Sequence, residues 1–435
     1  MKKIAKATIA CMATCMALVF YSCDEKTTDD LNADYADFTI QQSKENLQSE
    51  GMAVLEKIDA MKDMEWVSSV QSLMGLMGMG MQDEEINNAI SPLLAPLANA
   101  DKNIMGIATL RASSNAMDSL SNVFKKFGGT YTYNAGVDTF DYSRSTTHFT
   151  ISFPIGESTT NNGTLTIDNY TYQYSKTIES TVLEMPRSLR MTLKKGNTTL
   201  LSLIMSASYR DDDMPSMENT VITFKEGYIF DQTANYDPKK VSWDFSFALN
   251  SQKFFQGGCD MDGTLSYDSI SAHLNENTLE ENTMDRLFNN MNASVQLGNI
   301  KAVGKVTYAQ FLKDKQAFDE TYGGYRDNGG YNAEPTQEAI IDKKCAIYNK
   351  NVKATLLYAD SKKAIAKLLF YKKNQEDGYN SWFKMDSKAA FEDGTSLDGS
   401  FFDEGFSQFD TALDNFIAEM KANYHITNDQ TTQPN

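Results

Sequence analysis

The fold is decided by residues 189–205, LRMTLKKGNTTLLSLIM. Every second residue is apolar over 189–193 and again over 201–205, and Lys194-Lys195-Gly196-Asn197 lies between the two runs. A period of two places one side of a strand in an apolar layer. A Gly-Asn pair between two such strands favours a tight turn. The stretch therefore predicts an antiparallel β-hairpin.

The same alternation recurs on both sides of this hairpin. It predicts further strands at 130–133, 147–153, 163–175, 221–230, 243–249 and 254–267, with a turn at Asn250-Ser251. Beyond them, 352–358 and 364–371 flank Ala359-Asp360-Ser361 as a second hairpin, and 382–391 predicts one more strand. We expect a large antiparallel sheet, curved or partly closed, in residues 128–270. Residues 271–426 should form an α+β region with the second hairpin set.

Helical spacing dominates the segment before the sheet. Met52, Leu55, Ile58 and Met61 recur every three residues within 43–63. Further helical pieces are predicted at 66–81, 84–97 and 110–127, which makes 43–127 a helical region. Later helices are predicted at 277–291 and, as an amphipathic closing helix, at Phe406, Phe409, Leu413, Phe416 and Met420.

The remaining segments complete the predicted architecture. Residues 294–308 predict a strand, 322–335 a long loop rich in glycine and tyrosine, and 427–435 a disordered tail. The fold class is therefore α+β, with an N-terminal helical segment, a large antiparallel sheet and a C-terminal amphipathic helix.

Six methionines between Met61 and Met81 raise the question of a soft-metal site, because thioethers favour Cu(I). No histidine or cysteine accompanies them. Methionine also fills irregular apolar gaps readily. We therefore expect a helix face that packs against another element.

The chain is acidic, with a formal net charge of −18 over 435 residues. An acidic chain repels phosphate backbones, and no basic patch interleaved with aromatic residues offsets this repulsion. The three histidines, His148, His273 and His425, lie too far apart in sequence to suggest a zinc site or a catalytic triad. We expect no nucleic-acid partner, no metal, no cofactor and no catalytic residues.

The N-terminus carries a targeting signal. Lys2, Lys3 and Lys6 precede an uncharged apolar segment at 7–21, which is too short to span a bilayer comfortably. It ends in Phe20-Tyr21-Ser22-Cys23, followed by the acidic run 24–30. This arrangement predicts a secretory signal. No A-x-A-like site supports cleavage elsewhere.

These residues resemble a bacterial lipoprotein signal, in which a small residue precedes a cysteine that receives the lipid. The resemblance implies that residues 1–22 are removed, that Cys23 is the lipid-attachment residue, and that 23–42 form an acidic tether. The bulky Phe20 and the acidic run resemble the signals of Bacteroidota surface lipoproteins. They imply a lipid-anchored protein exposed on the outer-membrane surface. Asp24 resembles the inner-membrane retention signal of enteric bacteria, which keeps a periplasm-facing location as the alternative.

Five cysteines are present, and the targeting signal accounts for three of them. Cys11 and Cys15 leave with the signal, and Cys23 takes the lipid. Cys259 and Cys345 remain in an extracytoplasmic compartment, where disulfides persist. Either these two cysteines pair, or both are buried thiols.

One motif resembles an enzyme signature. Residues 260–265, DMDGTL, match the nucleophile motif of haloacid-dehalogenase-like phosphatases, where the first aspartate attacks phosphorus and the second moves a proton. In that family the motif ends a buried parallel strand, whereas the alternation here predicts an antiparallel sheet. We therefore expect an Asp-Gly turn at this point, as at Asp393-Gly394-Thr395. The triplet Asp211-Asp212-Asp213 similarly favours an exposed turn over a calcium site.

Long amphipathic strands with aromatic inner faces, behind a lipid-attachment motif, resemble the open β-barrels of lipoprotein carriers. That resemblance implies a non-catalytic binding protein for a lipid or other amphiphilic ligand. Two alternatives stay open: a structural or adhesive surface component, and a glycan-binding accessory of an uptake system. The sequence alone assigns no ligand-binding residues.

Overall fold

The computed structural model describes residues 30–61, 63–80, 120–175, 184–264, 288–322, 336–376 and 381–398, together with 407–409, 411–412 and 415. Several predictions fall outside these ranges. They are the signal and Cys23, the helix at 84–97, the loop from 323 to 335, and the tail at 427–435.

Five helices are named here: α1 (Ile40–Asp59), α2 (Glu65–Gly80), α3 (Leu120–Phe127), α4 (Tyr308–Tyr322) and α5 (Gln337–Asn351). The strands are β1 (Gly129–Asn134), β2 (Thr139–Arg144), β3 (Phe149–Phe153), β4 (Gly163–Tyr174), β5 (Glu184–Lys195), β6 (Thr198–Tyr209), β7 (Pro215–Phe224), β8 (Tyr228–Tyr236), β9 (Lys240–Leu249), β10 (Gln252–Gly263), β11 (Phe288–Leu297), β12 (Ile300–Val306), β13 (Val352–Tyr358), β14 (Ala364–Glu376), β15 (Ser381–Ala390) and β16 (Ser396–Leu397). None of these helices is long and apolar enough to cross a membrane.

All sixteen strands form one sheet, which confirms a sheet-dominated α+β fold. From β3 to β16 each strand pairs antiparallel with the next in sequence. The order changes at one end, where β1 lies between β3 and β2 and pairs in parallel with β3. Among the described residues, strands β2 and β16 are the two edges, and the sheet does not close on itself.

The hairpin predicted at residues 189–205 is confirmed. β5 pairs with β6, with Leu193 opposite Leu201, and Gly196 adopts a positive φ of 55° in the turn. A second predicted turn is confirmed at Asn250-Ser251, where φ is 50° and 69°. Two consecutive residues in the left-handed region are typical of the hairpin turn whose twist matches the strands.

The apolar core lies on one face of the sheet, beneath the N-terminal helices. Leu47 of α1, Val67 of α2 and Phe124 of α3 join the same buried cluster as Phe153 and Leu193. The helices lie near the strand ends that carry the tight turns. Thus the backbone carbonyl of Lys57 accepts a 2.7 Å hydrogen bond from Tyr228, and Glu65 forms ion pairs with Lys195 and Lys225.

The predicted tether is too long, because the chain is already attached to the sheet at Asp30. Tyr35 forms a parallel bridge to Ala364, and the amide of Ala36 donates to the carbonyl of Ala364 at 2.9 Å. Thr39 then begins α1 with a capping box that includes Gln42. The segment is polar and has few groups to bury, but backbone hydrogen bonds to β14 fix its position without an apolar side.

The region between β11 and β13 also departs from the predictions. Residues 288–291 belong to β11 rather than to a helix, and they pair with β10. The strand predicted at 294–308 is a hairpin of β11 and β12, joined at Gly298, whose φ is +56°. Between β12 and β13 the chain forms α4 and α5, which the spacing of apolar residues did not predict.

The closing helix is confirmed only in its described part. Residues 407–409, 411, 412 and 415 are helical, and the rest of the predicted helix lies outside the described residues. Phe409 is buried against α1. A Cβ atom on Gly51 would lie 3.1 Å from the Phe409 ring, so this glycine permits a close helix contact.

Candidate functional site

The face of the sheet opposite the apolar core carries a row of polar residues across five strands. Asp231 on β8 lies opposite Ser246 on β9, and Ser246 lies opposite Gln256 on β10. Gln256 lies opposite Gln296 on β11, which in turn faces Lys301 on β12. Strands are about 4.8 Å apart, so the row forms a continuous band of hydrogen-bonding side chains.

A second row follows two residues along the same strands. Thr233 lies opposite Asp244, Asp244 opposite Gly258, and Gly258 opposite Ser294. The two rows line a cleft of about 520 Å³. The complete lining is Asp231, Thr233, Asp244, Phe245, Ser246, Lys253, Gln256, Gly257, Ser294, Gln296 and Lys301.

Two glycines make room for this arrangement. A Cβ atom on Gly258 would lie 2.3 Å from Oδ1 of Asp244, which therefore extends over the backbone of β10. A Cβ on Gly257 would lie 2.9 Å from the Phe245 ring. Successive residues of a strand point to opposite faces, so side chains of β9 cover β10 from both sides. Only glycine allows so close an approach.

Hydrogen bonds hold several lining groups in fixed orientations. Nε2 of Gln256 donates to Oε1 of Gln296 at 2.8 Å, and Nε2 of Gln296 donates to the carbonyl of Gly298 at 2.9 Å. On the other side, Nδ2 of Asn219 donates to Oδ1 of Asp231 at 3.1 Å and to Oγ1 of Thr233 at 2.9 Å. The polar groups are thus positioned before any ligand arrives.

The chain just before α1 contributes to the rim of the cleft. Nζ of Lys301 lies 2.6 Å from Oδ2 of Asp30, whose side chain is only 6% exposed. Thr355 on β13 donates to the carbonyl of Leu31 at 3.1 Å. The segment thereby pairs the ammonium group of a cleft lysine with a buried carboxylate.

The two cysteines that the sequence left open are both free thiols in the structure. Cys259 lies on β10, where burial and the nearby Asp244 and Asp260 raise the pKa of its thiol to about 11. Cys345 is buried on α5, and burial raises its pKa as well. The two thiols lie on separate elements and are not bonded to each other; Cys345 matches the second option, a buried thiol, whereas Cys259 is only half-buried.

The phosphatase-like motif lies in the middle of the sheet. Asp260 and Asp262 belong to β10, which is antiparallel to both of its neighbours, so the predicted Asp-Gly turn at this point is wrong. Asp260 is buried, and its Oδ2 lies 2.8 Å from Nζ of Lys240. Asp260 is thus engaged in an ion pair, and the parallel strand of the phosphatase family is not formed at β10.

The turn at Asp393 is confirmed, and residues 211–213 also form a turn, but Asp213 within it is buried and not exposed as predicted. Gly394 has a φ of +79° in the turn after Asp393. In the aspartate triplet, Arg210 forms an ion pair with Asp212 at 2.8 Å, and its hydrogen bonds to Asp212 lower the pKa of that carboxyl group. Among the described residues, no group of three or more histidine, cysteine or acidic side chains is arranged to bind a metal ion.

Sequence reasoning did not find the cleft, although signals for it exist. The alternation in 243–249 and the pair Gly257-Gly258 are both visible in the sequence. A glycine pair within a strand can indicate that another group approaches closely. Comparison with protein-family models, with curated proteins and with solved structures finds no match to this chain. The cleft and the N-terminal motif are therefore the two features that bear on function.

Proposed function

We propose that this protein is a lipid-anchored, extracytoplasmic binding protein, without catalytic activity, that holds a saccharide in the cleft across β8 to β12. The carrying observation is the lining of that cleft. Serine, threonine, glutamine and aspartate side chains from β8 to β11, together with Lys301 from β12, converge on one cavity of about 520 Å³. This alternative among the sequence-based expectations is the one that the geometry favours.

Saccharides present hydroxyl groups that both donate and accept hydrogen bonds. Amide side chains such as Gln256 and Gln296 can do the same, because each carries a carbonyl oxygen and an NH₂ group. Their mutual 2.8 Å bond fixes both side chains on a rigid pair of strands. Preorganised groups reduce the entropy cost of binding, so a weakly interacting, hydroxyl-rich ligand is a good match.

The amphiphile alternative needs an apolar cavity between the helices and the sheet. In the described part of that interface, side chains from both layers form one buried cluster, including Leu47, Leu165 and Leu193. The polar lining of the cleft is also a poor environment for an acyl chain. These observations support a saccharide more than a lipid.

The proposed anchor is Cys23. Seven residues lead from Cys23 to Asp30, and a chain of that length spans at most about 25 Å when fully extended. Because Asp30 pairs with Lys301 at the cleft, the cleft would lie close to the membrane surface. We propose the outer face of the outer membrane as the location, with the periplasmic face as the alternative.

The cleft is tested by screening the purified mature protein against an array of oligosaccharides. Ser294→Trp should abolish binding, because Ser294 lines the cleft and an indole would fill it. Ser202→Trp is the matched control. Ser202 lies on β6, on the same face of the sheet as Ser294, but outside the cleft lining. Equal loss in both variants, or a positive signal for Ser294→Trp, would remove the cleft from consideration.

Native mass spectrometry of protein extracted from membranes addresses the ligand class independently. A non-covalent saccharide adduct agrees with the proposal, whereas a non-covalent acyl lipid would favour the amphiphile alternative. Cys23→Ala should release the protein from membranes and abolish metabolic labelling with an alkynyl fatty acid. Labelling that persists in this variant would exclude Cys23 as the attachment residue.

One observation favours the adhesive alternative as a second candidate. Strand β2 is an edge of the described sheet, and the β1–β2 hairpin exposes Val137 by 63% and Tyr142 by 48%. Edge strands with exposed apolar groups can pair with another chain. Sedimentation velocity at increasing concentration tests this: self-association that Tyr142→Asp abolishes would support an adhesive role.

A further inference from the structure

We infer that the cleft selects uncharged saccharides against acidic ones, and that Asp30 enforces this selection by neutralising Lys301. The inference rests on the proposed saccharide-binding function, because it concerns the class of sugar that the same cleft accepts. The segment just after the proposed anchor then serves to position a side chain of the cleft, that of Lys301.

The charges in and around the cleft carry this inference. Two carboxylates, from Asp231 and Asp244, line the cavity together with two ammonium groups, from Lys253 and Lys301. The charges of these four groups alone would sum to zero. Asp30 adds a third carboxylate, and its Oδ2 lies 2.6 Å from Nζ of Lys301. These five groups together carry a net charge of −1, within a chain of net charge −18.

The Asp30–Lys301 pair is well shielded from water. The side chain of Asp30 is 6% exposed and that of Lys301 is 25% exposed. Poor solvation strengthens the attraction between the two charges. Removal of one partner leaves the other charge uncompensated at high cost. An acidic ligand would therefore compete with Asp30 for an ammonium group that is already neutralised.

The geometry around the carboxylates also opposes an acidic ligand. Asn219 donates to Oδ1 of Asp231 and thereby holds that carboxylate at the wall of the cleft. The Asp244 carboxylate lies over Gly258, at the floor. A uronic acid or sulfate group entering between wall and floor would meet like charges, whereas sugar hydroxyl groups could donate to both carboxylates.

The test compares saccharides that differ in charge. Wild-type protein is screened at low ionic strength against uncharged, uronic-acid-containing and sulfated oligosaccharides, and the strongest ligands of each class are measured by titration calorimetry. We expect wild type to bind its best uncharged ligand at least tenfold more tightly than any acidic one. Asp30→Asn should reduce this ratio several-fold, because Lys301 then carries an unpaired charge in the cleft.

Asp34→Asn is the matched control, because Asp34 lies on the same segment but is 90% exposed and pairs with Lys363. It should leave the ratio unchanged. Since Asp30→Asn could disturb folding, Asp244→Asn provides a second variant at an exposed cleft carboxylate, and it should also reduce the ratio.

The outcomes separate this inference from the function beneath it. Tight binding of acidic saccharides by wild type, or a ratio that neither Asp30→Asn nor Asp244→Asn changes, overturns the charge selection and leaves the saccharide function intact. Failure of every saccharide to bind wild type overturns both.

Discussion

Strands β5–β6 and strands β9–β11 both carry apolar side chains on the inner face of the sheet, but their outer faces differ in the size of the side chains. On the inner face both regions place apolar side chains at alternate positions, such as Leu193 in the first and Val295 in the second. On the outer face, β5 carries long side chains. Arg190 forms a bidentate ion pair with Asp168 on β4 at 2.8 Å.

The outer face of β9–β11 instead carries small residues at its centre. Ser246 and Ser294 line the floor, Gly258 between them carries no side chain, and longer side chains stand at the margins. The comparison teaches that hydrophobic alternation builds both regions, while the size of the outward-facing side chains decides where the sheet can hold a ligand.

Leu193→Ala should destabilise the protein most. Leu193 is 0% exposed and contacts the core from the hairpin β5–β6. Truncation of a buried leucine leaves a cavity and costs about 2–5 kcal/mol. Urea unfolding followed by circular dichroism measures this cost. Thr192→Ala, on the outer face of the same strand, should change stability by less than about 0.5 kcal/mol. Equal costs would contradict the assignment of the two faces.

The alternation that makes Leu193 important was also the part of the fold that could be predicted. It predicted the hairpin β5–β6 and the turn at Asn250-Ser251. Helix α4 was missed although Tyr308, Phe311 and Leu312 recur at helical spacing, because this apolar stripe is short and none of its residues is fully buried. It is held in part by polar contacts, such as the 2.8 Å ion pair of Asp314 with Lys350 of α5.

The cleft was beyond sequence reasoning for a different reason. Its lining runs from Asp231 to Lys301 and depends on the register of five strands. A shift of one residue in any strand would move its polar side chains to the core face, and no local pattern fixes all five registers. The recognisable motif at Asp260 and Asp262 instead directed attention to a buried structural ion pair beside the cleft.

Asn292→Leu, on strand β11, should stabilise the protein, whereas Leu193→Ala, on strand β5, should destabilise it. Asn292 is 0% exposed on β11, and neither polar atom of its side chain has a hydrogen-bond partner in the described part of the chain. A buried, unsatisfied amide costs about 1–3 kcal/mol, and leucine keeps the same branched shape with a larger volume. We expect the free energy of unfolding, measured by urea titration, to rise by a similar amount.

Asn219→Leu is the control for Asn292, because Asn219 donates three hydrogen bonds to its neighbours on β8. This variant should lose stability and saccharide affinity together. A loss of stability in Asn292→Leu would contradict the prediction and indicate that a bound water molecule satisfies the amide.

Gly258→Ala should separate binding from stability at the floor of the cleft. The new methyl group would meet the Asp244 carboxylate, which is the mobile end of a side chain and can rotate away. We expect a cost in stability below about 1 kcal/mol but a loss of saccharide affinity of about tenfold, near 1.4 kcal/mol. Gly75→Ala on α2 should leave binding unchanged, because a Cβ atom at this position would meet no atom within 4 Å. Unchanged affinity in Gly258→Ala would show that Asp244 takes no part in binding.

The smallest expected effect concerns the ion pairs of Glu65 on α2 with Lys195 of the hairpin β5–β6 and with Lys225 of the β7–β8 turn. Hydrogen bonds from Lys195 and Lys225 lower the pKa of Glu65. A carboxyl group whose pKa falls on folding stabilises the native state above its unfolded pKa, near 4.3, and loses that contribution as the pH drops through its lower native value. Partly exposed pairs of this kind contribute at most about 1 kcal/mol.

Glu65→Gln should therefore be slightly less stable than wild type at pH 7, and the difference should vanish in urea titrations as the pH falls below about 4. Glu56→Gln, at an exposed position of α1, should show no such convergence. Saccharide affinity should be the same in wild type and Glu65→Gln, since Glu65 contacts the hairpin and not the cleft lining. A change in affinity with Glu65→Gln would mean that the two regions are energetically coupled, and that the inner face contributes to binding as well as to stability.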